Sequence, residues 1–90
     1  MKIKIPNKIK FMAHTYDVEF NVKELASQSC SGLTRHLYQK IYLDKDATPR
    51  SEVDEIFLHE LIHIIERHMG MKFDDMDIER LAEGLCIILF

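Results

Sequence analysis

Apolar residues recur at every second position through the first part of the chain: Ile3 and Ile5, then Ile9 and Phe11, then Tyr16, Val18, Phe20 and Val22, with polar residues between them. Successive side chains of a strand point to opposite faces, so this spacing predicts strands with one wet face. Ala13-His14-Thr15 reads as the turn between two of these runs, and Asn21 ahead of Val22-Lys23-Glu24-Leu25-Ala26 reads as the cap of a short helix. Gly32 then breaks the chain. From Leu33 to Asp44 the apolar points Leu33, Leu37, Ile41 and Leu43 predict a second hairpin, to which Tyr38 and Tyr42 add strand propensity.

After Thr48-Pro49-Arg50-Ser51 the period becomes helical. Val53, Ile56, Phe57, Leu58, Leu61, Ile62, Ile64 and Ile65 surround the axis on nearly every side, which predicts a central, buried helix over about residues 49–69. Ser51 and Asp54 are spaced like a variant capping box, acids fill the first turn, and Gly70 supplies the stop. Asp74, Asp75 and Asp77 suit the start of a second helix over about residues 75–89, with Ile78, Leu81, Ala82, Leu85, Cys86, Ile88 and Leu89 as its apolar stripe. The apolar end Ile87-Ile88-Leu89-Phe90 is expected to finish the core. Strands first and helices last predict an α+β domain, a mostly antiparallel sheet of three to four strands packed on two C-terminal helices. A chain of 90 residues accommodates one such domain, spanning 1–90.

Composition narrows the function classes. A net charge of -3 and a pI near 5.9 give no basic field, so nucleic acid is not an expected partner. No apolar window reaches membrane-spanning length and the Met-Lys-Ile-Lys-Ile-Pro opening lacks the apolar stretch of a secretory signal, so no membrane partner is expected and the cytoplasm is the expected compartment. Cys30 and Cys86 lie in different segments without finger spacing, which predicts neither a disulfide framework nor a zinc knuckle. Oligomeric state is left open.

Within the buried helix stands a polar trio, in the run His59-Glu60-Leu61-Ile62-His63. Histidines four apart lie one turn apart on one helical face and can both reach a single metal ion. Glu60 is placed to face the open coordination position as general base, taking a proton from a water whose pKa Zn²⁺ lowers to roughly 7 and passing it to the leaving amine. Two imidazoles and a carboxylate are costly to bury unless a metal or hydrogen bonds compensate them. The last helix offers Glu79 and Glu83, also four apart, and a short connection folds it back beside the first. One suits the hard oxygen ligand of a His2Glu site; the other suits the N–H of a ligating histidine, fixing its tautomer.

These residues resemble the gluzincins, in which HExxH on one helix is followed by a glutamate ligand on the next, commonly within Glu-x-x-Ala. Glu79-Arg80-Leu81-Ala82 is similar to that second motif. The resemblance implies Glu79 as third zinc ligand and Glu83 as the acid that orients a ligating histidine. In length and order the chain looks like the minimal single-domain members, sometimes called minigluzincins, and like short metallopeptidase-like proteins encoded by phages and prophages. The likeness is strongest over residues 39 to 85. It departs in spacing: 15 residues separate His63 from Glu79, fewer than in larger peptidases, while 19 separate it from Glu83, nearer their usual interval.

The expected function is zinc-dependent hydrolysis of peptide or protein substrates, with Zn²⁺ the one cofactor. The alternative from another class is a non-catalytic or latent zinc-binding accessory domain of phage or prophage type. His14, His36 and His68 are expected on the surface, and Tyr38, Tyr42, His36 and Arg80 are all candidates to steady a substrate oxyanion.

Overall fold

The computed structural model describes residues 4–20, 23, 25, 31–44 and 50–89. The elements that lie wholly among the described residues are the strands β1 (Lys8–Phe11), β2 (His14–Glu19), β3 (Gly32–Arg35) and β4 (Lys40–Leu43), followed by the helices α1 (Arg50–Met69) and α2 (Asp75–Leu89). The fold is α+β. Ile3, Val22, Cys30 and Phe90 lie outside the described residues, as does most of the expected short helix, of which Lys23 and Leu25 are helical and Leu25 is buried.

The sheet is mixed, in the order β1-β2-β4-β3. β1 pairs antiparallel with β2 and β3 antiparallel with β4, whereas β2 and β4 run parallel, with Val18 opposite Ile41. Both hairpins follow the alternation in the sequence, but the first turn sits earlier than expected. The first is Met12-Ala13, with Met12 at φ 57, so His14 and Thr15 already belong to β2. The second spans residues 36–39, which leaves Leu37 and Tyr38 exposed at the tip while Tyr42 turns inward.

One face of the sheet supplies Tyr16, Val18, Ile41 and Leu43, and α1 lays Phe57 and Ile64 against them. Another side of α1 carries Leu58 and Ile62 onto Ile78 and Ala82 of α2. The second helix is held by a narrower stripe than its sequence suggests, because Ile87 and Ile88 are 79% and 67% exposed while Leu89 packs against the core. Among the described residues no helix is long and apolar enough to cross a membrane.

The link between the helices fixes their relation. Gly70 adopts φ 65 and the Met71 N–H reaches back to the Glu66 carbonyl at 3.0 Å, a glycine-terminated helix stop of the Schellman kind. The Glu66 side chain then accepts the Phe73 N–H at 2.7 Å, so the connection is tied to the same residue twice before α2 begins.

Candidate metal centre

With the sheet on one side of α1 and α2 on another, His59, Glu60 and His63 fall between β3 and α2. His59 and His63 are half-buried, and their rings stand edge to face with centroids 4.8 Å apart, as i and i+4 neighbours on one helical face should. Glu60 is buried, only 8% exposed, and accepts a 2.7 Å hydrogen bond from the Thr34 hydroxyl on β3. Gly32 makes this approach possible, since a Cβ there would overlap Ile56 and lie in contact with Glu60.

Two cavities meet at Glu60. The smaller, ≈ 330 Å³, is lined by Gly32, His59, Glu60 and Glu79, among others. The larger, ≈ 800 Å³, runs past His63 to His36, Arg67 and Lys72. Glu79 is exposed on α2 and lines the smaller cavity, as His59 does; Glu83, one turn further, is exposed. Among the described residues no three His, Cys, Asp or Glu side chains converge closely enough to hold an ion.

The acid on a histidine of the motif is one the sequence reading did not select. His63 Nδ1 lies 2.8 Å from Glu66 Oε1, an i,i+3 contact, while the other Glu66 oxygen is fixed by the Phe73 N–H. That backbone hydrogen bond, with His63 beside it, holds the Glu66 carboxyl below the usual carboxylate range. A neutral histidine whose Nδ1–H is engaged by a carboxylate keeps the Nε2 lone pair free, a form that can take a metal. The i,i+3 spacing was visible in the sequence; its meaning was not, because an acid one turn along a helix is ordinarily a solvated charge.

The donor chemistry fits a zinc-type ion. Two adjacent imidazoles, one beside a carboxylate, match the nitrogen ligands such an ion takes, and Glu79 on the lining of the smaller cavity is of the type that supplies an oxygen.

The other histidines form a second assembly. The Tyr16 hydroxyl, on a side chain only 1% exposed, lies 3.1 Å from His36 Nδ1 and 2.9 Å from His68 Nε2. His14 stacks on His68 at 4.4 Å, and its Nδ1 accepts from the Gln39 side-chain amide at 2.9 Å. The expectation of surface histidines is therefore corrected: the three are partly buried, the 36–39 turn and the end of α1 bringing His36 and His68 onto one buried tyrosine of β2, and His14 stacking on His68. Burial holds His36 and His68 below the ordinary histidine value, with the nearby Arg67 charge acting the same way. Burial also raises the Tyr16 phenol. Of the four residues considered for an oxyanion, His36 alone lines the cavity that contains Glu60 and His63; Tyr38 projects from the turn, Tyr42 is buried in β4, and Arg80 lines a separate hollow with Phe73, Asp77 and Leu81. No protein-family model, curated protein or solved structure matches the chain.

Proposed function

We propose that this chain is a zinc-dependent metallopeptidase-like domain in which His59, His63 and Glu79 hold the ion and Glu60 is the general base for peptide-bond hydrolysis. The observation that carries the reading is the placement of Glu60: buried, next to two adjacent imidazoles, and lining both cavities at once. Bound there, Zn²⁺ would supply Lewis-acid chemistry, polarising a carbonyl and acidifying water.

The chain's own residues supply the rest. Glu66 holds His63 by Nδ1 and so keeps its Nε2 free. Thr34 donates to one Glu60 oxygen, which fixes the carboxylate plane and leaves the other oxygen for the proton it takes from water and returns to the leaving amine. The larger cavity admits an extended peptide alongside β3, one of the two edge strands of the sheet. The zincin-like and phage-type identity belongs to this reading and rests on the HExxH and Glu-x-x-Ala stretches.

The test pairs activity with metal content. In Glu60→Gln, peptide hydrolysis falls by at least about a hundredfold while zinc is retained; unchanged hydrolysis with full metal would remove Glu60 from the chemistry. Loss of zinc in Glu79→Ala but not in Glu83→Ala supports the ligand choice, and the reverse result exchanges them. One observation favours a second reading, a latent or non-catalytic zinc-binding accessory domain: the Glu60 carboxylate already has a partner in Thr34. Wild-type protein that binds zinc and cleaves no peptide would establish that reading instead.

A further inference from the structure

His59, His63 and Arg67 succeed one another at four-residue intervals along α1. Their side chains therefore share a face, each about 6 Å further along the axis than the last. Arg67 and His63 line the same ≈ 800 Å³ cavity. The guanidinium is exposed and has no ion-pair or hydrogen-bond partner among the described residues.

The groups around it do not neutralise it. His36 and His68 are held towards their neutral forms, and both lie on Tyr16. Glu66, one residue away, has its two oxygens on His63 and the Phe73 N–H. Lys72 adds a second positive charge to the lining; of the other carboxylates there, Glu60 is buried and bonded to Thr34, and Asp75 lies in the first turn of α2, where the helix N-terminus favours it. A planar cation with five donors thus faces open space one helical turn beyond His63.

An extended peptide advances about 3.3–3.6 Å per residue. A bond cleaved beside His63 and Glu60 therefore places the groups one or two residues away over Arg67. We propose that Arg67 is a carboxylate-binding site, selecting peptides that carry a C-terminal or side-chain carboxylate one or two residues from the cleaved bond on the Arg67 side. Arginine matches a carboxylate in paired hydrogen bonds. The proposal rests on the hydrolytic reading for the identity of its substrate as a peptide; the recognition itself is a property of the arginine.

The test uses the full chain, zinc-loaded, with peptides that differ only in a free or amidated C-terminus, and a second set that exchanges Glu for Gln at positions flanking the cleaved bond. Wild type should favour the carboxylate member of at least one set by roughly tenfold in kcat/KM, mainly through KM, and the set that responds tells a C-terminal from a side-chain carboxylate. Arg67→Gln should abolish the preference, and Arg67→Lys should keep part of it, both with an unchanged thermal midpoint. In parallel, the same peptides are titrated into metal-free protein while the Arg67 Nε–H resonance is followed; the carboxylate form should shift it and the amide should not. Equal handling of both forms by an active wild type, or a preference that survives Arg67→Gln, overturns the proposal and leaves the hydrolytic reading standing. If no peptide is cleaved, the hydrolytic reading fails, and the Arg67 resonance then decides alone: a carboxylate-dependent shift upholds the recognition and its absence ends it.

Discussion

A methyl group added at Gly32 tests whether β3 really lies against α1 where the proposed site is built. The new Cβ would overlap Ile56 Cγ2 and come within 3.4 Å of Glu60 Oε2. Ile56 is β-branched and held in essentially one rotamer on a helix, so it cannot rotate away. The strand must then lift off the helix, although Gly32 and Arg35 are pinned at either end of β3 by their register with Leu43 and Lys40. Overpacking of this kind costs about 1–3 kcal/mol, and in a domain of this size each kcal/mol lowers the melting midpoint by roughly 4–8 °C. Gly84 provides the internal control. It lies within α2 with nothing inside 4 Å of an added Cβ, so Gly84→Ala should stabilise by about 0.5–1 kcal/mol through helix propensity and a less flexible unfolded chain. Urea unfolding of the two variants beside wild type, all metal-free, reads both signs. Gly32→Ala with undiminished stability would mean that β3 does not approach Ile56 and Glu60, and the Thr34 contact to Glu60 would fall with it.

Two further outcomes follow from the histidine environments. His36 and His68 are held below the ordinary value of 6.5, so in the region just under it the unfolded chain binds more protons than the folded one and stability must fall as the pH drops below about 6.5; urea midpoints that stay flat there, or that decline equally in a His36→Asn, His68→Asn double variant, contradict the arrangement on Tyr16. Glu66→Ala should weaken zinc affinity by about 10–100-fold, by releasing His63 Nδ1, with Glu66→Gln recovering part of it, as measured by chelator competition; unchanged affinity would show that the contact does not serve the metal.

The hairpins, the two helices and the stop at Gly70 were legible because each rests on local spacing or on one residue's backbone freedom. The parallel pairing of β2 with β4 was not, since alternation tells which face of a strand is buried but not which strand lies beside it. The exposed end of α2 defeated the sequence for a related reason: Ile87 and Ile88 carry the same apolar signal as Leu89, and only the placement of α1 decides which of them is covered. In the site, His59, Glu60 and His63 were visible from their spacing alone. Glu66 was not singled out because its role depends on the Gly70 turn, which brings the Phe73 N–H back to its second oxygen. The gathering of His14, His36 and His68 depends on contacts between residues 20 and 52 positions apart, such as Tyr16 with His36 and His68, which no local pattern encodes.

The account stands on two imidazoles one turn apart being ligands and not merely neighbours. Elemental analysis of the purified chain, equilibrated with zinc and then dialysed, tests this most directly. Wild type should retain about one zinc per chain, and a His59→Ala, His63→Ala double variant, still folded by its circular dichroism, should retain essentially none. A folded wild type that leaves dialysis without zinc, or a double variant that keeps as much as wild type, would contradict it.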